Sequence, residues 1–292
     1  MRSMVIAAGA LCLLQAGVAH AQSALQLAPA EEWELGSGPE SCWISRRFGA
    51  GDKGLFVRIE TFGTRSSLRV FMRGKPLPQR DSGILDFQTQ YNPNGTANER
   101  AGILNWSGNA PTLTFLEALT PMEGAGSTAD PQGQTYSGLE RTTRELKLTF
   151  SRGSPVSLQL GSMEASLDRL QECAHGLPAK WGFDADQQRA LIQAATPIDG
   201  DRWIDPGSFP WEYLRSYQSV VLNLRLLVDD GGMPTDCIVQ APQFERAASE
   251  IACRTMMANA RFEPALDAEG EPVASYYTTS IFYRTKRRNG NS

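Results

Sequence analysis

Histidine is nearly absent from this chain, with two in 292 residues, His20 and His175. Ser-His-Asp and Cys-His arrangements would have to share His175. That residue falls at the end of a predicted helix, where the terminal carbonyls favour a cation. Cys-x-x-Cys, Ser-x-x-Lys, Gly-x-Ser-x-Gly and Walker patterns are all missing. Gly36-Ser37-Gly38 and Gly124-Ala125-Gly126 lack the third glycine of a dinucleotide loop. Asp199 and Asp201 around Gly200 are too sparse for a calcium loop. No catalytic residue, metal site or cofactor is therefore expected, and the chain does not read as an enzyme. A net positive charge is also lacking, since 28 Lys and Arg face 32 Asp and Glu and the net charge is −4, so nucleic acid is not an expected partner. Hydrophobic content of 41% with 21% charged residues is that of a globular protein.

One apolar run stands at the start. Arg2 precedes Met4 to Val18, and Ala19-His20-Ala21 has the small-x-small form of a cleavage site. The run is shorter than the ~20 residues that span a bilayer. Residues 1–21 therefore read as a signal peptide, with the mature chain starting at Gln22 in the periplasm. The alternative is an uncleaved anchor in the inner membrane, with the rest of the chain on its periplasmic side.

Beyond Gln22 the chain is punctuated by turns. Eight strands are predicted at Cys42–Arg46, Leu55–Phe62, Leu68–Arg73, Ile84–Thr89, Ile103–Trp106, Thr112–Leu119, Arg144–Phe150 and Val156–Leu160. Gly-, Pro- and Asn-rich clusters such as Asn92-Pro93-Asn94-Gly95 separate them. Met122 to Gly138 reads as a long loop. Met163, Leu167, Leu170 and Ala174 stripe a helix over Met163–Leu177. The fold class is α+β, and residues 22–178 form a β-rich sandwich or barrel closed by a helix. Residues 179–208, with a short helix at Ala185–Ala195 and then a proline-rich stretch, read as helix and linker.

The last third has a different order. Val220, Leu222, Leu224, Leu226 and Val228 alternate with Asn223, Arg225 and Asp229, the pattern of a strand with one buried face. Asp230-Gly231-Gly232 makes a hairpin turn into a second strand at Thr235–Gln240. Phe244, Ala247, Ala248, Ile251, Thr255 and Ala258 stripe a helix that ends before Pro264. Val273 to Arg284, rich in Tyr, Thr and Ile, reads as a third strand. Three antiparallel strands on one main helix leave that strand at a sheet edge.

Leu227-Val228-Asp229, the Asp230-Gly231 turn, Arg261-Phe262-Glu263-Pro264-Ala265, Gly270 to Pro272 and Ile281-Phe282-Tyr283 follow in this order. Phe209-Pro210 stands ahead of them. This series resembles the C-terminal domain of the TonB energy-transducer family, here residues 209–285, with 286–292 as a basic tail. Ser219 departs from it where many members carry Gly. The resemblance implies that the last strand takes up a short peptide of TonB-dependent outer-membrane receptors as an added strand. Val273, Ser275, Tyr276, Tyr277, Thr278, Thr279, Ile281 and Tyr283 would form that strand, with Tyr276, Tyr277 and Thr278 as side-chain contacts. The edge could also pair with itself and give a homodimer, or it could be covered by the β-rich unit.

Four cysteines remain after the signal: Cys42, Cys173, Cys237 and Cys253. An even number in an exported chain points to two disulfides, with three pairings open. Cys237–Cys253 is preferred because both lie in the C-terminal unit, which leaves Cys42–Cys173.

The functional expectation is a periplasmic TonB-like binding protein, accessory to outer-membrane transport. An envelope scaffold is the first alternative, and an anchored transducer with residues 4–18 uncleaved is the second. Edman sequencing of the native protein should read from Gln22 in the soluble periplasmic fraction; a Met1 start in the inner membrane would make residues 4–18 an anchor.

Overall fold

The computed structural model describes residues 23–64, 68–93, 95–117, 143–204, 219–240 and 246–284, with backbone alone for 219–220, 246–248 and 282–284. The stretch read as a leader, the loop read at Met122 to Gly138, Phe209-Pro210, Phe244 and the basic tail lie outside the described residues.

Strands β1 (Leu25–Leu27), β2 (Glu34–Ser37), β3 (Cys42–Phe48), β4 (Leu55–Thr61), β5 (Leu68–Arg73), β6 (Gly83–Asn92), β7 (Ala97–Ser107), β8 (Ala110–Glu117), β9 (Glu145–Phe150) and β10 (Val156–Gln159) share one sheet. Its order is β1-β10-β9-β6-β7-β8-β5-β4-β3-β2, and it curls into a half-barrel. It is therefore one sheet and not a sandwich of two. Residues 25–30 draw its two ends together. β1 runs parallel to β10, and Pro29 then bridges Phe48 on β3. The buried guanidinium of Arg46 adds a second tie, donating from Nη1 to Leu160 O at 2.9 Å. The sequence hid β1 and β2 because segments of three and four residues carry too little alternation to register.

Alternate residues of β3 to β10 fill the hollow of the curl. Ile44, Phe48, Val57, Met72, Leu104, Leu113, Phe115, Leu148 and Leu158 are almost wholly buried there. Helix α1 (Glu164–His175) closes over them with Leu167 and Leu170. Cys42 at the head of β3 is bonded to Cys173 of α1, with Cα atoms 6.1 Å apart. The short helices α2 (Leu177–Lys180) and α3 (Ala185–Ala190) follow. Asp184 caps α3, accepting from the amides of Asp186 and Gln187.

A second hydrophobic cluster gathers the rest. The two-residue strand β11 (Thr196–Pro197) precedes β12 (Ser219–Val228), β13 (Pro234–Val239), α4 (Arg246–Asn259), β14 (Phe262–Glu263), β15 (Ala265–Leu266), β16 (Pro272–Val273) and β17 (Ser275–Arg284). The sheet order β13-β12-β17 is antiparallel throughout. Gly232 turns the β12–β13 hairpin with φ +78°, and a Cβ there would lie 2.0 Å from Phe262 O, so glycine is needed twice over. Leu222, Leu224, Leu226 and Val228 face α4, whose buried residues include Ala252 and Met256, with Ala260 just past its end. This stripe differs from the expected one, and Ala258 is exposed. Cys253 must face the sheet to bond Cys237 on β13, Cα atoms 5.5 Å apart, which fixes the rotation of the helix.

The stretch read as a linker is folded onto the C-terminal unit. β11 pairs with β14, and Trp203 packs edge-on to Phe262 with centroids 5.0 Å apart. Its prolines suit extended edge segments as well as they suit a linker. Val273 leaves the expected strand, pairing with Ala265 in the separate β15–β16 ladder.

Replacing Cys237 and Cys253 together by alanine should lower unfolding stability by about 3 kcal/mol in denaturant titration, because the bond closes a loop of 16-residue separation. The untreated protein should show no reactive thiol; an unchanged midpoint would mean the crosslink contributes nothing.

Candidate functional site

The three-stranded sheet has two outer strands, and their backbones are not equally open. The amide of Gln240 donates to Asn223 O at 2.8 Å, one position beyond the Leu224–Val239 pair of the β12–β13 register. Backbone polar groups alternate sides along an antiparallel strand. Asn223, Arg225 and Leu227 thus turn theirs to β13, and Leu222, Leu224 and Leu226 turn theirs to β17. Their β17 partners are Ile281, Thr279 and Tyr277. It follows that Tyr276, Thr278, Ser280 and Phe282 direct amide and carbonyl outward, to the side that has no neighbouring strand among the described residues.

β13 is a poor edge for addition. It begins with Pro234, which has no amide. The outward amide of Cys237 donates to the Asp236 carboxylate at 2.8 Å. An exposed charge that occupies an edge amide blunts the strand as a template.

β17 is open only in part. At its head, α3 lies across the edge. Gln188 Nε2 donates to Ala274 O at 3.0 Å, and Ser275 Oγ donates to Gln188 Oε1 at 2.6 Å. Beside Tyr276 a hollow of about 10 Å³ is walled by Thr64, His175, Pro178, Ala185, Gln188 and Arg189. The Tyr276 hydroxyl stands 3.5 Å from Thr64 Oγ1. From Thr278 on, no described residue pairs with the outer edge.

The expected side-chain contacts separate between the two faces. Tyr277 and Ile281 pack in the α4-side core. Burial pushes the Tyr277 phenol above its ordinary pKa, so it stays neutral at physiological pH. Thr279 is half-buried, and Tyr283 contributes backbone alone to the described strand. Tyr276 and Thr278 face the other way, onto the N-terminal unit. A Cβ on Gly63 would lie 3.4 Å from Thr278 Cγ2, and Trp181 meets Tyr276 edge-on at 4.8 Å between centroids.

The alternation of β12 predicts one buried face, and both are buried. Arg225 is 4% exposed and Asn223 1%. The Arg225 guanidinium donates to both carboxylate oxygens of Glu40, at 2.8 Å to Oε1 and 3.0 Å to Oε2, and lies 4.3 Å from the Trp181 ring centroid. Gln240 Nε2 donates to Phe62 O at 3.0 Å and Glu40 O at 3.3 Å. The turns around 38–41 and 62–64 and the stretch 180–183 thus form one joint over the sheet. Glu40, Gln188 and Asp236 lacked any sequence signal, because nothing local marks a side chain that partners a distant strand. Trp181 and Phe183 do stand in a visible Trp-Gly-Phe motif.

Against family models, curated proteins and solved structures, the chain finds no match.

Native-state hydrogen exchange tests the alternation. The amides of Thr278, Ser280 and Phe282 should exchange at least about tenfold faster than those of Tyr277, Thr279 and Ile281. Equal protection at both sets would mean that the outer edge is covered.

Proposed function

We propose that this chain is an exported binding protein that takes up an extended peptide along the outer edge of β17, at Thr278 to Arg284. The observation that carries the reading is the difference between the two outer strands. On β13 the outward amide of Cys237 is occupied by Asp236, whereas Thr278 and Ser280 offer outward amides and carbonyls that meet no strand among the described residues. Such a row adds a strand through main-chain hydrogen bonds, with alternate side chains supplying selectivity.

The order of motifs from Leu227 to Tyr283, which resembles the TonB C-terminal domain, narrows the partner to short periplasmic segments of TonB-dependent outer-membrane receptors. The role is accessory to transport, in the periplasm, with the leader removed. Two disulfides fit an oxidising compartment. A scaffold in the envelope is the second reading, favoured by the N-terminal unit's firm seat on the C-terminal sheet through Arg225 and Glu40.

Ser280→Pro is the discriminating variant. It deletes an outward amide and keeps the β12 ladder, because Ser280 pairs with Asn223 without exchanging backbone bonds. It also removes the Ser280 Oγ bond to the buried Asn223 Oδ1, at a cost of about 1–3 kcal/mol. Titration calorimetry with receptor-segment peptides, at a temperature where circular dichroism shows the variant folded, should show at least about tenfold weaker binding than wild type. Unchanged affinity would move the site off this edge.

A further inference from the structure

We propose that helix α3 acts as a stop at the head of the β17 edge, so that a partner strand pairs only with Thr278–Arg284 and must end or turn away opposite Tyr276. This rests on the strand-addition reading and specifies which segment the edge accepts.

The chain from α2 to β11 passes from one face of the C-terminal sheet to the other. Trp181 and Phe183 pack on Tyr276 on the face that carries Arg225, with centroids 4.8 and 5.9 Å from the Tyr276 ring. A few residues on, Ile192 N donates to Leu266 O and Thr196 pairs with Glu263, within the cluster on the α4 side. Between these anchors the chain crosses the β17 edge as α3. Gln188 there stands where an added strand would continue, since its amide nitrogen takes the carbonyl of Ala274, the residue just ahead of β17. Gln188 is 7% exposed and also accepts from Ser275 Oγ, so both ends of its side-chain amide are engaged.

The partner is constrained in two ways. It presents a segment of about seven residues to the last seven of β17, roughly 23 Å of extended chain. A proline, a glycine or a chain end belongs where that segment reaches α3, because the backbone must leave the sheet there. The helix that connects the two units therefore takes part in recognition, although the paired backbone belongs wholly to the C-terminal unit.

The test uses the full mature chain and a displayed library of random peptides about 12 residues long. The tightest binder is synthesised, trimmed one residue at a time from each end, and titrated, while hydrogen exchange reads the β17 amides. The expected result is protection at Thr278, Ser280 and Phe282, and an affinity that changes less than about twofold until fewer than about seven residues remain. Protection of those three amides together with about tenfold tighter binding from residues extending past Tyr276 would overturn the stop and leave strand addition standing. If no selected peptide protects Thr278 or Ser280, strand addition itself fails and the stop fails with it. Ser280→Pro should abolish protection by the trimmed peptide; retained protection would count against both.

Discussion

Arg225 stands in the middle of β12 with its guanidinium shielded from solvent, and the rest of the arrangement depends on how that charge is held. A buried cation is tolerated only with a well-placed partner, and stranding one member of such a pair costs about 3–5 kcal/mol. The partner is Glu40, in the turn between β2 and β3, with Trp181 across the guanidinium face. Neither belongs to the C-terminal unit. A sheet that would otherwise have one wet face is thereby committed to a second covering layer. The Cys42–Cys173 bond ties the chain beside Glu40 to the helix that leads to Trp181, so one covalent link holds the two sides of the cradle together.

The joint also sets how much of the sheet edge is open. To put Trp181 over Arg225 and then reach the pairing of β11 with β14, the chain has to cross the rim of β17. It does so at the head of the strand, where Gln188 takes the carbonyl of Ala274, just ahead of Ser275. In the far half the outward groups meet no strand among the described residues. On the opposite rim Asp236 occupies the outward amide of Cys237, in the middle of the strand where a pairing would start. The two rims therefore differ in which outward backbone groups are taken up within the sheet's own surroundings.

Where the signal was local, the fold was legible. The alternation of Leu222, Leu224, Leu226 and Val228 placed β12 and its core face. The Asp-Gly-Gly turn placed the hairpin, and the even cysteine count led to two bonds that join the expected partners. Legibility was lost where a residue's state depends on something far along the chain. Asn223 and Arg225 carry the signature of a solvated face, because polarity at every second position has the same appearance whether the cover is water or a second unit. Val273 fits a β-rich run, yet it pairs with Ala265 in another ladder. The α4 stripe differs from its hydrophobic pattern because the Cys237–Cys253 bond, and not hydrophobicity alone, turns Ala252 and Met256 to the sheet.

By itself, then, the sequence determined the longer strands and helices, the α+β class and the cysteine chemistry, since propensity, periodicity and turn residues act over a few positions. Only the tertiary structure decided that the many short strands form one curled sheet, that the polar face of β12 is a joint, and which backbone groups of β17 point away from β12. Those outcomes depend on pairing between residues as far apart as Glu40 and Arg225, 185 positions along the chain, and no local pattern encodes such a separation.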